Sequence, residues 1–229
     1  MRILLILTLF IIQLLMPVES FAKTAYLSFD DGPSNCTEDI LNILKVQDVK
    51  ATFFVTGNAS PGQMHLYKDM VEAGHALGIH SYSHNYAKIY RSTDSFFNDI
   101  AQLEKLLKKE VGESPKILRF PGGSNNYVAK QYSGTNLMSQ LKTEAKRRGY
   151  QYYDWNCDAN DGLNPPIPEK KLIRLIMQGV EDKDNLYILL HDFNGNTTIV
   201  DGLPEIIRRL KHKGYEFKVM DESTPTLAF

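Results

Sequence analysis

Two carboxylates stand side by side at the end of an apolar run, in Ser28-Phe29-Asp30-Asp31-Gly32-Pro33. Successive side chains of a strand point to opposite faces, but a turn lets both acids approach one cavity. Like charges held that close force one carboxyl to keep its proton unless a cation intervenes, and a dication keeps both ionised. Asp before Gly-Pro is also ordinary turn chemistry, so the pair draws its weight from what accompanies it. His80-Ser81-Tyr82-Ser83-His84 sets two imidazoles at i and i+4, which a helical or tight-turn backbone brings to one side. With a carboxylate from another strand they make a two-His, one-carboxylate set, which suits zinc hydrolases and non-haem iron oxygenases alike. The ligand types do not choose between these, although no signature of 2-oxoacid binding stands beside them. Arg119, Asp158, Asp161 and His191 also follow short apolar runs. Singly, each reads as an ion pair, a turn former or a cap, and His65, His75 and His212 keep such a plain reading.

The elements around these residues give them a common logic. β-Branched and aromatic runs at 25–29, 52–55, 75–79, 116–120, 150–155, 186–190 and 216–220 predict seven strands. Amphipathic stretches at 96–109, 137–148, 170–180 and 204–213 predict helices between them. Such alternation predicts right-handed βαβ units and a parallel sheet, hence an α/β fold. Of the two closures available, doubly wound or barrel, the expectation is a distorted, incomplete (β/α) barrel with about seven parallel strands. The strand ends of such a barrel converge on one face, so candidates distant in sequence become neighbours there.

The 229 residues are 43% hydrophobic and 23% charged, which supplies one sizeable core and excludes global disorder. Lys and Arg total 26 against 27 Asp and Glu, so no overall field gathers nucleic acid or anionic lipid. Two cysteines, Cys36 and Cys157, exclude a disulfide-built fold and a thiolate-rich zinc site. Nothing implies a stable protein partner.

Met1-Arg2, an apolar run from Ile3 to Met16 and the ending Ser20-Phe21-Ala22 have signal-peptide architecture. The run is shorter than the roughly 18 to 20 apolar residues that a spanning helix needs. The expectation is a leader over 1–22, cleaved after Ala22, and one catalytic domain over 23–229, secreted or held in the cell envelope; an uncleaved anchor is the alternative. Export permits a Cys36–Cys157 disulfide, but two separate buried thiols are the expected state.

From about Thr24 to Met220 the chain strongly resembles the polysaccharide deacetylases of carbohydrate esterase family 4, the family of the rhizobial chitooligosaccharide deacetylase. The resemblance rests on Ser28-Phe29-Asp30-Asp31-Gly32-Pro33, on His80-Ser81-x-x-His84, and on Ala51-Thr52-Phe53-Phe54-Val55 between them. It implies one divalent cation, zinc by preference with cobalt, nickel or iron as alternatives, bound by Asp31, His80 and His84. It further implies Asp30 as general base, His191 as general acid, Arg119 orienting the base, and Asp161 rather than Asp158 orienting His191. Gly122 would offer its N–H to the oxyanion, and Leu189 would contact the acetyl methyl.

Three departures from the family pattern stand out. Gly162 replaces an aromatic wall of the acetyl pocket, which predicts a wider pocket. Gly122 replaces an aromatic but keeps the N–H, and Ile79 replaces an Asn, which affects packing rather than ligation. Gly122-Gly123-Ser124 and Trp155-Asn156-x-Asp158 resemble the bacterial cell-wall subgroup. The implied activity is removal of N-acetyl groups from peptidoglycan, or next from chitin-type oligomers. A polysaccharide O-acetyl esterase and a catalytically silent glycan-binding domain are the alternatives, the latter opposed by the intact acids and histidines.

Overall fold

In the computed structural model, which describes residues 23–134, 136–163, 165–181 and 183–229, strand β1 (Lys23–Asp30) sets the pattern for the rest. Its Ala25, Leu27 and Phe29 belong to the main hydrophobic core, whereas Tyr26 belongs to a second cluster on the opposite face. Period-two alternation sends Ser28 and Asp30 to that same inner face. Strands β2 (Thr52–Thr56), β3 (Ala76–Ser81) and β7 (Asn185–His191) repeat the arrangement. Phe53 and Val55, Leu77 and Ile79, and Leu186, Ile188 and Leu190 join the outer core. Phe54 and Tyr187 join Tyr26 inside. The last inner residues of β1, β3 and β7 are then Asp30, His80 and His191. The leader expected over 1–22 lies outside the described residues.

With β4 at Ile117–Leu118, β5 at Gln151–Tyr152, β6 at Cys157–Asp158 and β8 at Tyr215–Lys218, the sheet order is β5-β4-β3-β2-β1-β7-β6 with β8 on β1, and every pairing is parallel. Strand β1 is the centre: β7 runs along one edge, while β2 takes Ser28–Asp30 and β8 takes Lys23–Tyr26 on the other. The register pairs Asp30 with His191 directly. All seven expected strands are present. The sequence showed no sign of an eighth, β6 (Cys157–Asp158), whose two residues offer no periodicity to detect.

The sheet curls into an incomplete barrel whose ends are β5 (Gln151–Tyr152) and β6. The C-terminal residues lie along the open seam. Tyr153 Oη is 2.9 Å from Asp221 O and 2.8 Å from Thr224 O, Asp154 N donates to Leu227 O at 2.8 Å, and Phe229 N donates to Asp154 Oδ2 at 2.7 Å.

Helices cover the outer face, each burying one stripe against the sheet. Thr93–Val111 starts at Ser92, whose hydroxyl accepts from Ser95 N, and stops at Gly112, whose φ of +86° suits glycine. Its buried stripe includes one charge, Asp99, among Phe96, Ile100, Leu103 and Leu107. The last helix begins at Thr197, not at Pro204 as expected, and carries the proline inside it. Proline forfeits one backbone hydrogen bond, but Ile199, Leu203, Ile206, Ile207 and Leu210 form an unbroken buried stripe. Helices Thr37–Val46 and Leu66–Glu72 complete the strand–helix alternation between β1, β2 and β3. Cys36 and Cys157 are separate buried thiols. Among the described residues no helix is long and apolar enough to cross a membrane.

Candidate active site

Arg119 follows β4 (Ile117–Leu118) and lies wholly inside the barrel, 0% exposed, where a guanidinium survives only if its donors are met. Nη1 donates to Asp30 Oδ1 and to Ser28 Oγ, both at 2.8 Å, Nε to Tyr153 O at 3.1 Å, and Nη2 to Asp154 O at 3.2 Å. The fork rests over the Phe54 ring, 4.2 Å from its centroid. Asp30 is buried, which opposes its charge. Arg119, His80 and His191 outweigh that penalty and hold its carboxyl below the ordinary carboxylate value.

Asp31 leaves the strand with φ of +79°, a left-handed turn that Asp tolerates better than most residues. The turn swings its carboxylate to the rim that Asp30 reaches through the pleat. Asp31 Oδ1 is buried without a hydrogen-bond partner, 3.5 Å from His80 Nε2 and 3.1 Å from His84 Nε2. His80 Nδ1 lies 2.8 Å from Arg119 O, which can only accept, so Nδ1 carries the proton and Nε2 presents a lone pair. Burial outweighs the pull of Asp30 and Asp31 and lowers the His80 pKa, so its neutral form prevails. His84 comes back on a turn, φ +47°, and not on a helix. The Asp31 oxygen and the His80 lone pair thus face each other beside the His84 ring nitrogen, and the oxygen has no hydrogen-bond partner. This fits a cation, which Asp31, His80 and His84 could hold.

On the other side of β1, β7 delivers His191. Its backbone N donates to Asp161 Oδ2 and its Nδ1 to Asp161 Oδ1, both at 2.9 Å. Asp158 turns elsewhere, accepting from Trp155 Nε1 at 2.8 Å and Asn160 N at 2.6 Å. Burial pushes His191 down, but the Asp161 hydrogen bond and the charges of Asp161, Asp30 and Asp31 raise it to about 9.

Asp30, Asp31, His80, His84 and His191 line a cavity of about 310 Å³, with Leu189, Gly122, Gly162 and Asp158 on its walls. Among the described residues Gly122 N–H has no backbone or side-chain acceptor. Gly162 does not simply leave room. A Cβ there would stand 2.9 Å from His191 Cε1 and Nε2, so the imidazole occupies space beside the loop that the sequence assigned to a wider pocket. Ile79 is fully buried in the outer core.

Residues 18–138 match the family model for polysaccharide deacetylase. The chain belongs to this family. It is 34% identical over 205 residues to a peptidoglycan-N-acetylglucosamine deacetylase of Bacillus cereus, an alignment that spans 88% of this chain and 71% of that protein. A bifunctional xylanase/deacetylase of Pseudobutyrivibrio xylanivorans is 32% identical over 87% of this chain but only 30% of its own length. Among solved structures, the catalytic domain of a peptidoglycan N-acetylglucosamine deacetylase from Eubacterium rectale superposes with a TM-score of 0.86 at 35% identity, covering 93% of this chain and 94% of that one.

Three residues that shape this cavity and its loops were not among the candidates read from the sequence. Asp99, the charge in the buried helix stripe, ties down the histidine turn: it accepts from Ser81 Oγ at 2.7 Å, Tyr82 N at 2.6 Å and Ser83 Oγ at 2.5 Å. Its signal was an acid at an apolar position. Asp154 accepts from Ser124 N at 2.8 Å and Ser124 Oγ at 2.5 Å, which fixes the loop after Gly122 and Gly123. Tyr86 stands on the cavity wall, and no spacing in the sequence pointed to it.

Proposed function

We propose that this polysaccharide deacetylase is exported, depends on one divalent cation, zinc by preference, and removes N-acetyl groups from peptidoglycan. The observation that carries the reading is the contrast between adjacent acids. Asp31 Oδ1 has no donor and faces two imidazoles, whereas Asp30 is locked to buried Arg119. Asp31, His80 and His84 are therefore the cation ligands and Asp30 is the base. A carboxylate held as acidic as Asp30 takes a proton only from an acidified water, and that acidification, with polarisation of the acetyl carbonyl, is what the cation supplies when bound.

The chain's own groups do the rest. Asp30 accepts the proton of the attacking water. Gly122 N–H donates to the carbonyl oxygen as charge builds on it. Leu189 offers an apolar contact to the methyl group. His191, oriented through Nδ1 by Asp161, turns Nε2 to the cavity and gives its proton to the departing nitrogen. The C–N bond breaks, acetate leaves, and the glycan keeps a free amine. An amine is a poor leaving group, so an imidazole raised to about 9 and protonated at neutral pH suits an amide better than an ester.

Peptidoglycan is favoured because proteins at 34% and 35% identity carry that substrate in their names. Export rests on the leader pattern of residues 1–22. Acetate release from peptidoglycan oligomers, chitin oligomers and acetylated xylan, with mass analysis of the products, tests the reading. Acetate with a matching free amine from peptidoglycan oligomers is expected. Release from xylan alone would make the protein an esterase, and release from none would end the enzymatic reading. N-terminal sequencing of secreted protein should begin at Lys23; recovery only from membranes with residues 1–22 attached would oppose cleavage.

A further inference from the structure

Tyr86 opens the short helix Tyr86–Ile89 behind His84, with Asn85 as its cap. Its ring meets His84 edge-on, centroids 5.6 Å apart and planes at 80°, and meets Tyr90 at 5.4 Å. Tyr90 is itself fixed: fully buried, it donates its hydroxyl to Pro121 O at 2.6 Å. Held between these rings, the Tyr86 phenol reaches the cavity wall with its hydroxyl 3.0 Å from where a Cβ on Gly122 would stand. Gly122 has φ of +79°, and Asn126 Nδ2 lies 2.9 Å from the same point, so a side chain at 122 would strain the backbone and crowd both groups.

Asn126 is fully engaged there, donating to Pro121 O and accepting from Val128 N, both at 2.8 Å. The Tyr86 hydroxyl is not: among the described residues it has no hydrogen-bond partner. Strands β3 and β4 are neighbours in the sheet, so the segments that carry Tyr86 and Gly122 emerge side by side. Leu189 and His191 emerge from β7, beyond β2 and β1. A phenol keeps its proton at neutral pH and can donate it to a hydrogen bond.

We propose that the Tyr86 hydroxyl is a second donor to the acetyl carbonyl oxygen, acting beside Gly122 N–H as negative charge develops there. The proposal rests on the deacetylase mechanism above and adds a residue to it. Two neutral donors converging on one oxygen strengthen as its charge grows, so the effect falls on the transition state more than on substrate binding.

Tyr86→Phe removes the hydroxyl and keeps the ring that packs on His84 and Tyr90. On an N-acetylated glycan that the wild-type protein turns over, kcat should fall by about 10²-fold, as for loss of one oxyanion donor. KM, cation content and thermal midpoint should stay at wild-type values. Turnover within about twofold of wild type would overturn the proposal. So would loss of cation alongside activity, which would make Tyr86 a support for His84, or a raised KM at constant kcat, which would make the hydroxyl a sugar contact. A wild-type protein that releases no acetate from any N-acetylated glycan would instead sink the deacetylase mechanism, and this proposal with it.

Discussion

His191 and Asp161 are joined twice, backbone N to Oδ2 and Nδ1 to Oδ1, each at 2.9 Å. The double contact fixes the imidazole's position and its tautomer together. Burial opposes the imidazolium, yet Asp161, with Asp30 and Asp31 behind it, raises the pKa to about 9. The protonated form is the one that donates, so kcat should fall as pH rises through about 9. Asp161→Asn removes the charge that holds the proton, and the alkaline limb should move to lower pH. A pH–rate profile with an unmoved limb would detach Asp161 from the acid's function. Stability follows the same sign: the part that comes from this proton is full below the unfolded value near 6.5 and is lost as pH rises through about 9.

Asp99→Ala should both destabilise the fold and weaken cation retention. The change strips the histidine turn of the acceptor for Ser81 Oγ, Tyr82 N and Ser83 Oγ. Leaving such donors unpaired costs about 3 kcal/mol, which urea unfolding reads directly. His84 N donates to Ser81 Oγ at 2.9 Å, so a loosened Ser81 also frees a ligand-bearing residue. A variant of wild-type stability with full cation content would contradict this.

Arg119→Lys should destabilise the protein by about 3 kcal/mol, because one ammonium cannot replace a fork that meets four oxygens inside the barrel. Ser28, Asp30, Tyr153 and Asp154 supply those oxygens. Turnover should fall with stability, since Asp30 loses its fixed partner. Denaturant midpoints and acetate release, measured on one preparation, check both.

What was legible in the sequence was whatever period-two alternation could carry. Asp30, His80 and His191 close inner-face runs whose outer partners are plainly apolar, so strand order and strand ends could be read together. Asp31 needed a left-handed turn, and the adjacent Gly-Pro gave notice of one. Asp99 left only the sign of an acid at an apolar helix position, and Asp154 left none, because their partners are backbone N–H groups and serine hydroxyls on segments remote in sequence. Tyr86 looked like any aromatic after a turn. The start of the last helix was misread because proline is a local stop signal, whereas the buried stripe that overrides it is tertiary. Strand β6 and the segment along the open seam are held by pairing and by single hydrogen bonds, neither of which leaves a pattern in composition.

Asp30 and Asp31, neighbours in sequence, do different work in the proposed mechanism. The most direct measurement is bound cation per chain, read beside acetate release, for Asp30→Asn and Asp31→Asn. Asp30→Asn should retain its cation and lose about 10²- to 10⁴-fold in turnover, the worth of a general base, because the amide keeps the shape but cannot take a proton. Asp31→Asn should bind the cation weakly and lose activity with it. A cation-replete Asp31→Asn together with a cation-free Asp30→Asn would reverse the two roles, and wild-type turnover in both would contradict the site itself.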